Sequence, residues 1–419
     1  MASVFSDRLI VSIDVGTTKI CVLVAQQLDD EHVELIGIGK AYSDGLKKGV
    51  VVDIARTVNS IKNALKEAEL TSGVTIESAY VGISGGHIKS LNSQGMVAIK
   101  GGSVRPLDIA NALEAAKATP IPEGHYMLHI LPQYFTIDGS ERVQDPLGMH
   151  GLRLEVQAHI ITGAIASAQN LIKCVEMAGV KVQDIILEQL ASADAVLSAD
   201  ERELGIGMLD IGGGTSDFAL YQNGSIRHTM VLPVAGNHFT NDIAIGLRTT
   251  RAEAERIKKE FGCAYAPLIH ENSSFLIEMV QGSGKQTVQR LDLVAILQPR
   301  ATEILSIVFQ DIAHRGLMPM MSAGFVLTGG GSLLQGMPEL ANNILASVRG
   351  EHSRNMPVRI GYPKPQVGII ESLDSPIYAT GYGLLLQGLK KRRHNIDSFS
   401  GPSVKRVLMR MKSWIADFF

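Results

Sequence analysis

A strand that ends in an aspartate, a glycine-bearing turn and a second strand occur twice in this chain, and no other feature limits its fold so tightly. RLIVSIDVGTTKICVLVAQ carries an apolar stretch into Asp14-Val15-Gly16-Thr17-Thr18-Lys19 and out into another apolar stretch. GIGMLDIGGGTSDFALYQNGSI repeats the plan in the other half of the chain, with Asp210-Ile211-Gly212-Gly213-Gly214-Thr215-Ser216-Asp217 at the turn. One such stretch by itself reads as a hairpin, where Asp-Gly and Gly-Gly turns are common. Two of them so far apart point to two related lobes rather than to a solenoid of short repeats. A chain of 419 residues exceeds one ordinary core and agrees with that division.

The turns also carry chemistry. Glycines let backbone N–H groups converge on an anion without obstruction, which makes a phosphate cradle. The hydroxyls of Thr17, Thr18 and Thr215 add donors, and Lys19 adds a neutralising charge. Asp14 and Asp210 would repel phosphate unless a cation stood between them. Magnesium keeps several of its waters, so these carboxylates would hold it through water. A third stretch, GFVLTGGGSLLQGMPELANNIL, sets Gly329, Gly330, Gly331 and Ser332 between a strand and a helix, where a helix N-terminus suits a nucleotide.

Composition removes other classes. Apolar residues at 45% and charged residues at 19% describe a buried, globular chain. A net charge of -3 argues against nucleic acid as the partner. Cys21, Cys174 and Cys263 are widely separated with no C-x-x-C pair, which speaks against a disulfide framework or zinc site and fits a reducing cytosol. The N-terminus has no signal-peptide pattern, and no window reaches the roughly 18 apolar residues of a spanning helix.

Three motifs are set aside. Gly82-Ile83-Ser84-Gly85-Gly86 matches a nucleophile elbow, but the following GGHIKSLNSQGMVAIKGG reads as turns and strand, not helix. Gly282-Ser283-Gly284-Lys285 fails as a P-loop, with Met279 at the first glycine position and Gln286 at the hydroxyl position. His125 and His129 lie in the extended HYMLHILPQYF and form no ligand set.

The pattern divides the chain. The first-lobe core takes 1–84 and 164–204, with part of the C-terminal body at about 360–390. An insert at 85–163 reads as strand, helix and two strands, a compact α+β module. The second-lobe core takes 205–260 and 317–359. Its outer subdomain, 261–316, holds strands around FLIEMV and TVQRLDLV and a helix in PRATEILSIVFQDIAHRG. A linker at 391–403 precedes a terminal segment at 404–419.

That segment, VKRVLMRMKSWIADFF, places Val404, Val407, Leu408, Met411, Trp414, Ile415 and Phe418 on one helical face. Lys405, Arg406, Arg410 and Lys412 lie on the other. At 1.5 Å per residue it is about 22 Å long, short of a hydrocarbon core of about 30 Å. It therefore suits the interface, held by apolar burial and by attraction to anionic lipids. The alternative is a last body helix with Trp414 in the core. The basic, then Ser/Gly/Pro-containing stretch KKRRHNIDSFSGPS favours detachment.

Two strand–turn–strand phosphate loops followed by a strand–GGGS–helix loop resemble the actin, Hsp70 and sugar-kinase superfamily. The resemblance implies an ATP site between the lobes, with Mg2+. It places Glu188, in VQDIILEQLASADAVL, where the superfamily often orients the attacking water. AGNHFTNDIAIGL and RAEAERIKKEFG are similar to its nucleotide-sugar region, which brings in Gly236, Asn237, Glu255 and Lys258. Glu255 and Lys258 stand one helical turn apart, close enough to share a ligand or to pair with each other.

GISGGHI, RVQDPLGMHG, DIGGGTSD, PVAGNHFTNDIA and VLTGGGSLLQGMPEL, together with the insert and the tail, resemble the FtsA family of bacterial cell-division proteins along essentially the whole chain. That resemblance implies an α/β, actin-like, two-lobed ATPase fold with an inserted α+β subdomain in the first lobe and a C-terminal amphipathic helix. It implies self-association into filaments on the inner face of the cytoplasmic membrane at the division septum. It further implies tethering of FtsZ filaments, with Arg290 and Arg300 receiving the acidic C-terminal peptide of FtsZ, and recruitment of later divisome proteins. Turnover of ATP is expected to be slow. A small-molecule kinase or phosphatase of the same fold, and a membrane-linked scaffold of pilus assembly, stand as alternatives.

Overall fold

The computed structural model describes residues 8–399 apart from 31, 281–283, 350–355 and 366. The amphipathic segment at 404–419 and the end of the expected linker lie outside the described residues. The first lobe opens with β1 (Leu9–Val15), β2 (Lys19–Gln27) and β3 (Val33–Tyr42), each antiparallel to the one before. A short hairpin of β4 (Leu46–Lys47) and β5 (Val50–Val51) leads to helix α1 (Ile54–Ser72). This helix starts where the Asp53 carboxylate accepts from the Arg56 N–H at 3.0 Å and stops at Gly73, whose φ of 71° turns the chain left-handed. Between these caps Val58, Ile61, Leu65 and Ala68 recur at helical spacing and are buried. Strand β6 (Ser78–Ile83) then joins β1 in parallel.

The insert follows as β7 (Lys89–Ala98), α2 (Pro106–Ala116), β8 (His125–Ile137) and β9 (Arg153–Ala164). Its antiparallel sheet runs β7-β9-β8. Phe135, Ile137, Leu154 and Val156 meet Val104 and Ala112 in a core belonging to the module alone. The chain returns to the first lobe through α3 (Ile165–Met177) and β10 (Lys181–Leu187), and crosses by α4 (Glu188–Val196) and α5 (Ala199–Leu204).

The second lobe holds β11 (Ile206–Ile211), β12 (Ser216–Gln222), β13 (Ser225–Leu232), α6 (Gly236–Gly246) and α7 (Arg251–Phe261). Its outer part is β14 (Ser274–Glu278), β15 (Lys285–Gln289) and α8 (Arg290–His314). Then come β16 (Gly324–Thr328), α9 (Met337–Arg349), β17 (Val358–Ile360), β18 (Val367–Gly368) and α10 (Ala379–Phe399). The two large sheets run β10-β6-β1-β2-β3-β18 and β13-β12-β11-β16-β17. Set side by side, β3-β2-β1-β6 and β13-β12-β11-β16 follow one plan: three antiparallel strands, then a parallel partner on the first. The repeated turn thus belongs to a repeated sheet.

Helix α10 comes back to the first lobe and crosses α4 at Gly383. A Cβ there would lie 2.9 Å from the Ala191 Cα, with the Ala191 carbonyl closer still, so only glycine allows the crossing.

Two boundaries differ from the sequence reading. TVQRLDLV is not one strand: β15 stops at Gln289, and RLDLV opens α8 nine residues before Pro299, where the helix was expected to start. Leu293, Val294 and Leu297 continue inward as Ala301, Ile304 and Leu305 do, and this burial outweighs the N–H that Pro299 lacks. Residues 391–399, expected as linker, are helical within α10. The helix persists because its basic side chains find first-lobe acceptors: Lys390 on Asp194 at 2.7 Å, Lys391 on Asp184, and Arg392 on the Leu9 carbonyl. Among the described residues no helix is long and apolar enough to cross a membrane.

Candidate functional site

The two aspartate turns close in the same way. The Gly16 N–H donates to the Lys19 carbonyl at 3.1 Å, and the Gly212 N–H donates to the Thr215 carbonyl at 2.9 Å. They face each other across the lobes and abut. A Cβ on Gly213 would lie 2.5 Å from the Thr18 Oγ1, and one on Gly214 would lie 2.8 Å from the Thr17 Cβ. The Thr17 hydroxyl in turn accepts from the Gly49 N–H at 3.1 Å. Sterically, then, the second turn requires glycine where it meets the threonines of the first.

The third glycine stretch lies against the second turn. Gly329 takes φ 76°, and a Cβ there would lie 2.7 Å from the Ile211 carbonyl and collide with the Asp210 Oδ1. Gly331 packs on Ile211, while a Cβ at Gly330 would meet Ile377 at 3.5 Å. The buried Ser332 hydroxyl donates to the Gly329 carbonyl at 2.7 Å. A 3-10 turn, Gly330–Leu333, separates these glycines from α9, so the helix N-terminus expected beside them begins further on, at Met337. Gly336, left-handed at φ 83°, turns the chain into α9.

Four carboxyl groups gather where the lobes meet: Asp14, Glu188, Asp210 and Asp217. Asp14 lies 3.5 Å from the Lys19 ammonium, which also donates to the Ile377 carbonyl at 2.6 Å. Asp210 accepts through Oδ2 from the Ser192 hydroxyl at 2.6 Å and from Thr380 at 3.1 Å. Asp217 accepts from the Ser84 hydroxyl of the opposite lobe. Glu188 stands at the first turn of α4, with its Cγ 3.2 Å from where a Gly82 Cβ would be.

Burial raises the pKa of all four carboxyls, and their neighbours modulate the effect. Glu188 is held well above its ordinary value by burial and then by the charges of Asp14, Asp217 and Asp210. Asp217 is pushed up to about 7 by burial, against the lowering effect of the Ser84 hydroxyl. Asp14 is raised by burial despite Lys19, and Asp210 by burial despite Ser192 and Thr380.

Such a cluster suits a hard, oxygen-seeking cation. Among the described residues no group of three His, Cys, Asp or Glu side chains is placed to hold a metal ion directly. The glycine turns, which a Cβ would fill, and the acid cluster together fit a magnesium-bound phosphate chain.

Other expected residues sit further round the second turn. The N–H groups of Gly236 and Asn237 donate to the carbonyls of Gly212 and Gly213 at 3.0 and 2.8 Å, which anchors the start of α6 there. Glu255 accepts from the Thr240 hydroxyl at 2.5 Å, and Lys258 donates to Glu255 at 2.6 Å, to Thr240 at 2.9 Å and to the Gly236 carbonyl at 3.3 Å. The pair bridges α6 and α7 beside the second turn. Burial pulls the Lys258 ammonium below its ordinary value, with Glu255 opposing.

Arg290 and Arg300 lie away from the cleft, on α8. Arg290 donates to the Phe261 carbonyl at 3.1 Å and to Gln335, and Arg300 holds Asp242 at 2.7 Å and also Glu303. Beside them runs a groove of about 620 Å³ along α8, lined by Leu291, Val294, Ala295, Pro299 and Ala266.

The sequence reading missed one of the four acids and three of their partners. Ser84 was seen only as part of a rejected nucleophile motif, Asp217 only as the end of the second turn, and Ser192 and Thr380 not at all. Gln189 is also buried, with neither end of its amide hydrogen-bonded.

Comparison with known proteins gives two family matches. Residues 207–383 match the family described as cell division protein FtsA, and residues 85–162 match the SHS2 domain inserted in FTSA. The cell division protein FtsA of Pseudomonas aeruginosa is 44% identical over 426 aligned positions, covering 100% of both chains. Among solved structures, a PilM-PilN type IV pilus biogenesis complex aligns with a TM-score of 0.66 at 17% identity, over 91% of this chain and 98% of that one. MreB5 of Spiroplasma citri bound to ADP aligns with a TM-score of 0.56 at 16% identity, over 93% and 99%. These last two establish the actin-like fold.

Proposed function

This chain belongs to the FtsA family of cell division proteins, and we propose that it binds ATP with magnesium between its lobes, assembles into filaments and ties FtsZ filaments to the inner face of the cytoplasmic membrane. The observation that carries the nucleotide reading is the meeting of two matching glycine turns over the buried Asp14, Asp210 and Asp217 and the half-buried Glu188. A bound magnesium would neutralise these carboxylates and the phosphates beside them.

The chain's own residues take distinct parts. Asp14 and Asp210 orient metal-held water, and the N–H groups and hydroxyls of the two turns receive phosphate oxygens. Glu255 and Lys258 flank the sugar side of the second turn. Glu188 positions water by hydrogen bonding. Its carboxyl, raised by burial and by the neighbouring carboxylates, can accept a proton from that water, and turnover is slow and switch-like.

The groove on α8 supports docking of the acidic C-terminal peptide of FtsZ, with its apolar side chains on Leu291 and Val294 and its charge toward Arg290 and Arg300. The insert carries contacts to neighbouring subunits and to later divisome proteins. Val404, Val407, Leu408, Met411, Trp414, Ile415 and Phe418 enter the anionic membrane surface, with Lys405, Arg406, Arg410 and Lys412 toward its headgroups.

Co-sedimentation tests the whole reading. With anionic liposomes and magnesium ATP, the full chain is expected to carry FtsZ into the pellet. A chain lacking 404–419 is expected to remain folded, to bind FtsZ and to leave it in the supernatant. Pelleting of FtsZ without the tail, or none with it, refutes the tether.

A further inference from the structure

The Asp210 carboxylate is gripped from the opposite lobe. Ser192 on α4 and Thr380 on α10 belong to the crossing helices that pack on the first lobe, while Asp210 lies near the end of β11, the first strand of the second. Their hydroxyls form a triangle with the carboxylate: Ser192 Oγ to Asp210 Oδ2 at 2.6 Å, Thr380 Oγ1 to the same oxygen at 3.1 Å, and the two hydroxyls 3.0 Å apart. All three residues are buried. Each hydroxyl has one proton. Ser192, the nearer, gives its proton to Oδ2, and Thr380 gives its own either to that oxygen or to the Ser192 Oγ. Both arrangements pin Oδ2 on the first-lobe side.

The other oxygen, Oδ1, is then turned toward Gly329, where even a single Cβ would collide with it. Among the described residues Asp14, the matching residue of the first turn, is met instead by the Lys19 ammonium at 3.5 Å. The two related aspartates are therefore unequal, one oriented by a charge from its own turn and the other by two hydroxyls from across the hinge.

We infer that Ser192 and Thr380 are positioning residues, which fix Asp210 so that Oδ1 alone is presented to a metal-held water, and which do so only when the lobes are closed on each other. The inference rests on the magnesium nucleotide site proposed above. Hydrogen bonds to an ionised carboxylate are the strong kind, and a carboxylate free to rotate would offer either oxygen.

The test uses full-length protein and a fluorescent ATP analogue, with magnesium titrated at fixed nucleotide. Thr380→Val keeps the side-chain shape and removes the hydroxyl, Ser192→Ala does the same on α4, and Thr380→Ser restores the hydroxyl. Thr380→Val is expected to raise the magnesium needed for half-saturation by roughly tenfold, the low end of what one hydrogen bond to a charged group contributes. Affinity for the analogue in EDTA should be unchanged, the unfolding temperature of the ligand-free protein should fall modestly because a buried hydrogen bond present without ligand is lost, and Thr380→Ser should recover the parent's magnesium requirement. A merely structural hydroxyl would weaken binding equally with and without magnesium, and that result overturns the inference. So does an unchanged magnesium requirement in Ser192→Ala and Thr380→Val while the parent binds normally. If the parent itself shows no magnesium-dependent binding, the nucleotide reading fails, and that outcome is distinct from the others.

Discussion

Asp217→Asn should stabilise the ligand-free protein, and more so as pH rises. In the unfolded chain this carboxyl ionises near 3.8, and in the fold it holds its proton until about pH 7. Between those values the folded state binds more protons than the unfolded state, so stability falls as pH rises through that window. At about 1.4 kcal/mol per pH unit, the cost of ionising the buried group is roughly 2 kcal/mol at pH 5 and roughly 4 kcal/mol at pH 8. An asparagine never ionises and avoids the cost. It does, however, accept the hydrogen bonds of Ser84 and Thr215 more weakly, a loss of roughly 1 kcal/mol each. The net gain is therefore about 2 kcal/mol at pH 8 and close to none at pH 5. For a lobe of about 200 residues that is a rise of roughly 4–8 °C in the unfolding midpoint at the higher pH. Thermal unfolding in EDTA at both pH values measures it. A variant less stable than the parent at pH 8, or one whose gain is equal at pH 5 and pH 8, would show that Asp217 carries no buried-charge penalty.

Two other expectations follow from distances already given. Gly214→Val must displace Thr17 and with it the support of the Gly49 N–H, so affinity for a fluorescent ATP analogue should fall at least roughly tenfold, a loss of about 1.4 kcal/mol, whereas unchanged binding would place the phosphates elsewhere. Leu291→Asp, on an exposed position of the α8 groove, should abolish binding of the FtsZ C-terminal peptide in a fluorescence-anisotropy titration without moving the unfolding temperature, and retained binding would remove that groove from the proposal.

Much of the architecture was legible because it is local in sequence. The aspartate turns, the flanking strands and the caps of α1 each depend on residues within a few positions of one another. The matching halves could be read because the repeat is written twice. The acid cluster's partners were not legible for the opposite reason. Ser84 meets Asp217 across 133 positions and Thr380 meets Asp210 across 170, and nothing near either hydroxyl marks it. The start of α8 was misplaced because Pro299 looked like a helix opening. Leu293, Val294 and Leu297 are as apolar as a buried strand, and only their packing against the second lobe shows the helical period. The linker was misread from its polar composition. Lys390, Lys391 and Arg392 are hydrophilic but bound, a distinction that composition does not make.

The insert branches from the first lobe, yet its sheet is bonded to the second. The His159 Nδ1–H donates to the Asn92 Oδ1 at 2.7 Å, leaving Nε2 to accept from the Thr229 hydroxyl at 2.9 Å. Burial pushes this imidazole down to about 3, so the link keeps one protonation state at any physiological pH. Ser90 donates to the Thr229 carbonyl at 3.0 Å, and the Gln133 amide donates to the Ile226 carbonyl at 2.8 Å. The second lobe is thus held along β13 as well as at the cleft, where Asp217 and Asp210 accept from Ser84, Ser192 and Thr380. Any opening that carries the second lobe away from the insert must therefore break these hydrogen bonds, which ties release of a guest from the cleft to the insert as well as to the two turns.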